Sequence, residues 1–127
     1  MTMIEEAYCS FEVAKLLKEK GFDEHCYQKY DDTGYLSLNN VGYINSEKPS
    51  EDFYALAPTH QMAMKWLREV HNIHIDICSI WDSIHWLYQV FVITPRTASN
   101  SYVDKLLYTS YEEAIEAALM YCLKNLI

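Results

Sequence analysis

Apolar and polar positions change period several times along this chain, and each change marks an element. Over residues 10–20, Val13, Ala14, Leu16 and Leu17 recur at the i, i+3, i+4 spacing of one helix face. Ser10 stands where an N-cap belongs, and Lys18 and Lys20 fall in the last turn, where the helix dipole favours cations. Gly21 then supplies a left-handed stop, with Phe22 placed to close it. The helical period returns between Ala57 and Val70, the segment around which the fold is expected to pack. Ala63, Trp66, Leu67 and Val70 form its stripe and Met62 widens it, while Gln61, Lys65, Arg68 and Glu69 take the other side. Thr59 is its expected N-cap, and Pro58 keeps it from extending backwards. At Ile73-His74-Ile75-Asp76-Ile77-Cys78 the pattern becomes strict alternation, which predicts a strand with one buried face.

Shorter strands are read from turn chemistry. Residues His25 to Leu38 form a hairpin about Asp31-Asp32-Thr33-Gly34. Residues 39–52 are loop-like, with a short extended piece at Tyr43-Ile44, and Phe53 to Leu56 is a short strand or an extended lead-in to the helix that follows. After a turn at residues 80–84, Trp86 to Ile93 is apolar on both faces. Such a strand is central in its sheet, or has one face covered by another subunit. Pro95 ends it, Arg96 to Asn100 reads as a polar loop, and Leu106-Leu107-Tyr108 as a short strand. The last helix opens with the capping box Ser110…Glu113. It turns Tyr111, Ala114, Ile115, Ala118, Leu119, Cys122 and Leu126 inward, and Glu113, Glu116 and Lys124 outward. The expected architecture is α+β: an antiparallel or mixed sheet with three helices on one face, in the order α-β-β-(β)-α-β-β-β-α. The 127 residues form one domain, large enough to hide about two-thirds of the unfolded chain's surface.

Charge narrows the partners. The net charge is −8, and residues 1–60 carry 11 acidic and 5 basic side chains. Pairs of carboxylates at Asp23-Glu24, Asp31-Asp32 and Glu51-Asp52 sit in turn-like stretches. No clustered Lys and Arg is present to neutralise a phosphate backbone, so direct nucleic-acid binding is disfavoured. The opening Met1-Thr2-Met3-Ile4-Glu5-Glu6 is acidic where a signal peptide is basic, and no apolar run reaches ~18 residues. Cys9, Cys26, Cys78 and Cys122 form no close pair. A cytoplasmic protein with reduced thiols is expected, with no membrane association.

The residues that could carry chemistry are scattered. His71 and His74 straddle a helix end, and His60 is too far along the helix to share an ion with His71. His74, Asp76 and Cys78 do share one face of one strand, but a single strand rarely converges three ligands on one ion. Asp82, Ser83 and His85 contain the letters of a hydrolase triad, yet neighbours in one turn cannot stack as nucleophile, base and orienter. With three glycines in all, the chain has no phosphate loop and no nucleophile elbow. No catalytic residue, cofactor site or metal site is therefore assigned, and no cofactor is expected. The α-β-β-β-α order of the second half matches that of double-stranded RNA-binding domains. Glu112 and Glu113 stand where such a domain needs lysines, so the likeness is one of topology.

Eleven tyrosines remain, a residue type that brings large apolar area with a polar tip to interfaces. Tyr27, Tyr35, Tyr54, Trp86, Tyr88 and Tyr108 are the candidate interface residues.

Three phrases, Phe11-Glu12-Val13-Ala14-Lys15-Leu16-Leu17, Ala57 to Glu69, and Ser110-Tyr111-Glu112-Glu113-Ala114, resemble short uncharacterised proteins encoded by prophages and mobile elements of gut bacteria. The resemblance implies a cytoplasmic accessory protein and carries over no activity or functional residues. The expected function is non-catalytic: protein–protein interaction, either self-association into a homo-oligomer or binding of a host or phage protein. An acidic nucleic-acid mimic that blocks a DNA-binding protein is the alternative, and a small enzyme comes third.

Overall fold

A computed structural model describes residues 4, 6–38, 54–81, 84–95, 98–103 and 106–127. The extended piece read at Tyr43-Ile44, the loop around it, and Phe53 lie outside the described residues. The elements are α1 (Phe11–Glu19), β1 (Gln28–Tyr30), β2 (Leu36–Leu38), β3 (Ala55–Leu56), α2 (His60–His71), β4 (Ile73–Ser79), β5 (Trp86–Ile93), β6 (Ala98–Val103) and α3 (Tyr111–Asn125). The class is α+β, and the element order agrees with the one expected. The described strands divide between two antiparallel sheets, β2-β1-β3 and β4-β5-β6, instead of joining one. Two compact units, Met1–Gln61 and Met62–Ile127, meet in the sequence within the first turn of α2.

In the first unit, α1 begins and ends where its sequence says. The Ser10 side chain accepts from the Val13 N–H, and past Lys20 the chain closes a Schellman motif. Phe22 N–H donates to Leu17 O at 2.9 Å and Gly21 N–H to Lys18 O at 3.2 Å, with Gly21 at φ +91. Val13, Ala14 and Leu17 are buried. The β1–β2 hairpin pairs Gln28 with Leu38 and Tyr30 with Leu36, and β3 joins the other edge of β1 through Lys29–Leu56 and Tyr30–Ala55. Its turn is held by one side chain: the Asp31 carboxylate accepts from Thr33 N–H, Thr33 Oγ1 and Tyr35 N–H at 2.9, 2.6 and 3.0 Å. Ala14, Tyr30, Ala55 and Ala57 form a small core closed by the rings of Phe11 and Tyr54.

In the second unit a single residue, Asn72 at φ +57, converts helix α2 into strand β4. β5 is the central strand, as its two apolar faces require. Ile73, Ile75 and Ile77 pair with Val92, Val90 and Tyr88 on one face of the β4–β5 ladder. His74, Asp76 and Cys78 pair with Phe91, Gln89 and Leu87 on the other. Helix α3 packs on β5 and β4. It starts at Ser110, whose side chain accepts from the Glu113 N–H, and it buries Ala114, Ile115, Ala118, Leu119, Cys122 and Leu123. The return arm of the capping box reaches one residue further than expected: the Glu113 carboxylate accepts from Thr109 Oγ1 at 2.8 Å and from Thr109 N–H at 3.3 Å.

Two expectations are corrected. The sequence pattern predicts a loop over Arg96 to Asn100 and a short strand at 106–108. The strand is instead Ala98–Val103, paired along β5 with a register shift at Val90/Phe91, and Tyr108 makes only an isolated bridge to Trp86. The open edge of β5 decides this pairing against a polar composition, because a strand is selected by its partner more than by its own propensity. On α2 the buried positions are His60, Ala63, Met64, Trp66 and Leu67, while Met62 and Val70 are exposed. The stripe is centred on His60–Ala63–Leu67, which carries Met64 inward and leaves Val70 outside in the last turn.

Candidate interaction surface

The six interface candidates fall in both units and in very different surroundings. Tyr27 and Tyr35 are exposed at the hairpin. Tyr54 is half-buried: its ring lies 5.8 Å from that of Phe11, and the Lys18 ammonium sits 4.2 Å above it while donating to Tyr54 O at 2.7 Å. Trp86 and Tyr108 are half-buried, and Tyr88 is buried at 3 % exposure. These three are brought together with two tyrosines of α3. Trp86 meets Tyr111 edge-on at 5.3 Å, and Tyr88 lies 6.1 Å from Tyr108 and 6.4 Å from Tyr121. Trp86 and Tyr88 alternate onto the α3 side of β5, so this aromatic row holds helix to sheet. Tyr88 is thus part of the core.

A set of apolar side chains not singled out in the sequence is exposed at one end of the β4-β5-β6 sheet. The turn between β4 and β5, closed by Ile80 N–H to His85 O at 3.2 Å, carries Trp81 at 93 % exposure and Ile84 at 66 %. At the same end, Trp86 and Tyr108 exchange both backbone hydrogen bonds at 2.8 Å. This bridge brings up Leu106 and Leu107, at 66 % and 49 % exposure. The backbone reason is a mismatch of length. Val103 pairs with Gln89 and Tyr108 with Trp86, so the chain between them spans two residues more than the strand it follows. Isolated exposed leucines are ordinary in proteins; here four large apolar side chains are exposed at one sheet end. No signal in the sequence could separate these residues from core positions.

The scattered chemical candidates stay scattered. Asp82 and Ser83 of the triad letters lie outside the described residues. His74 lies 6.2 Å from the Phe91 ring, with Asp76 exposed beside it, and these read as the half-wet face of β4. His71 packs edge-on against Trp66 at 4.7 Å. In the first unit the fold makes one juxtaposition the sequence did not announce: Cys9 Sγ and a ring nitrogen of His60 lie within 4.8 Å, both residues buried. The Tyr8–Thr59 bridge, Cys9 N–H to Pro58 O and His60 N–H to Ala7 O, the latter two at 2.9 Å, bring them together across 51 residues.

The four cysteines stand as thiols. Burial pushes Cys122 up to about 12, and burial with the neighbouring Glu24 and Asp23 carboxylates does the same to Cys26. Cys78, on the half-wet face, is also raised, by burial and then by Asp76. High values of this kind describe inert thiols rather than nucleophiles.

Fold and site thus define an α+β protein with a built aromatic interior and an exposed apolar sheet end. Comparisons with protein-family models, curated proteins and solved structures find no match to this chain. Among the described residues, no helix is long and apolar enough to cross a membrane.

Proposed function

We propose that the chain is a non-catalytic accessory protein that works by binding another protein, with the Trp81 end of the β4-β5-β6 sheet as its contact surface. The observation that carries this reading is Trp81 itself, an indole at 93 % exposure just past the end of β4, with exposed Ile84, Leu106 and Leu107 at the same end of the sheet. A large apolar side chain left in water forgoes about 1.5–3 kcal/mol of burial, and tryptophan is the residue most enriched among those that dominate binding energy. The resemblance of three phrases to prophage and mobile-element proteins favours an accessory role, and four thiols favour a reducing, cytoplasmic setting.

The test is a double substitution, Trp81→Ser with Ile84→Ser, at positions too exposed to support the core. Sedimentation and affinity capture with the native chain are expected to give an associated species, either with itself or with a defined partner, that the double variant loses. Association that is indifferent to the double variant, or a strict monomer that retains nothing, would remove this reading. Capture that survives the double variant but collapses with salt would instead favour the acidic-mimic alternative.

A further inference from the structure

We infer that the occupant of this sheet end is a cationic amphipathic segment of a partner protein, one that sets Lys or Arg beside large apolar side chains; the inference rests on the binding role proposed above. The apolar half of the recognition is Trp81, Ile84, Leu106 and Leu107. The charged half comes from what flanks them. Between Arg68 and Arg96 the sequence has no lysine or arginine, so β4 and β5 bring no cation to this end, and the one lysine next to Leu106 in the sequence, Lys105, is matched by Asp104 before it. Helix α3 starts beside it, because Tyr111 lies against Trp86 at 5.3 Å and Trp86 is bridged to Tyr108. Its first turn exposes Glu112 and Glu113. The Glu113 carboxylate is tied to Thr109, two residues beyond Leu107, which fixes its place. Glu112 has no such tie among the described residues, and it stands at the rim as an exposed anion. The helix dipole and the Thr109 bonds absorb part of this charge, so Glu112 contributes more to attracting a cation than Glu113.

A second copy of the chain is the poorer occupant. It would bring another −8 of net charge and set the same two glutamates against their own kind. For a cationic segment the two halves act on different steps. The overall negative field speeds encounter, and the buried indole slows departure.

The experiment is fluorescence anisotropy of the full chain with three labelled amphipathic peptides of equal length: leucine–lysine, leucine–glutamate and serine–lysine. The leucine–lysine peptide is expected to bind, the leucine–glutamate peptide not to bind, and the serine–lysine peptide to bind at least tenfold more weakly than the first. Trp81→Ser should weaken the leucine–lysine complex at least tenfold and leave the serine–lysine one unchanged. Glu112→Gln should slow association and flatten its salt dependence, while Glu12→Gln on α1 should do neither. Equal binding of the lysine and glutamate peptides, or no effect of Trp81→Ser, overturns the inference. If no peptide binds but the native chain self-associates through Trp81, the binding role stands and the cationic partner falls; if neither occurs, both fall.

Discussion

The Tyr30 hydroxyl donates to the carbonyl oxygen of Cys9 at 2.6 Å, a buried bond that ties the end of β1 to the segment entering α1. The same ring lies 5.3 Å from Phe11, in the first turn of that helix. One side chain therefore fixes both the position and the entry angle of α1 on its sheet. Tyr30→Phe keeps the ring contact and removes the donor. It is expected to cost about 1–2 kcal/mol, read as a lower urea midpoint at unchanged slope. A midpoint within error of the native one would show that this bond does not anchor the unit.

The two glycines with positive φ separate two costs. Gly21 at φ +91 has open space where a Cβ would go, so Gly21→Ala incurs only the left-handed penalty, about 1 kcal/mol. Gly34 at φ +90 would place its Cβ 3.0 Å from the Phe11 ring. Gly34→Ala must therefore displace Phe11, which also contacts Tyr30 and Tyr54, and it should destabilise by more than Gly21→Ala. Thermal melts of the two variants test the order; equal shifts would mean that Phe11 yields freely.

How much was legible follows the local chemistry. Helices α1 and α3 could be placed from their ends, because Ser10, Gly21 and Ser110 perform jobs that few residues can. Strands β4 and β5 were legible from alternation and from a doubly apolar run. β6 was not, since Ala98-Ser99-Asn100-Ser101 has the composition of a turn and becomes a strand only through the edge of β5. The face of α2 was misplaced because Met62 and Val70 are as apolar as Met64, and composition cannot say which side meets the core. The site was less legible still. Tyr35 and Tyr88 are the same residue type on or beside strands, yet one is 68 % exposed and the other 3 %. That difference belongs to α3 packing on β5, a long-range event. Cys9 and His60 meet for the same kind of reason, and no spacing rule spans 51 residues.

Acid should weaken the β1–β2 turn through a single carboxylate. Hydrogen bonds from the Thr33 side chain and the Tyr35 N–H hold the Asp31 carboxyl below its usual value. A group whose folded value is lowered contributes stability that is present above about pH 4, its unfolded range, and that is lost as pH falls through the lowered value. Asp31→Asn removes the titration while keeping an acceptor. The variant should show a flatter fall of the urea midpoint between about pH 5 and 2 than the native chain. Parallel acid limbs would assign the loss to other carboxylates.

Thiol chemistry separates Cys78 from the other three. Cys9 and Cys122 are fully buried and Cys26 nearly so, whereas Cys78 is half-exposed on the outer face of β4. A disulfide reagent at pH 8 should therefore modify one thiol promptly and three only as the fold opens, and Cys78→Ser should abolish the prompt phase. Its rate should be below that of a free cysteine, since burial and Asp76 hold the Cys78 thiol protonated. The alkaline limb follows from Cys26 and Cys122. Both are pushed up from 9.0 to about 12, so the unfolded chain releases these protons first. Their contribution is present below about pH 9 and is lost as pH rises towards 12. Cys122→Ala opens a small cavity at every pH, but it should show a shallower fall in stability between these limits. Rapid modification of two or more thiols in the native chain would contradict the burial on which both expectations stand.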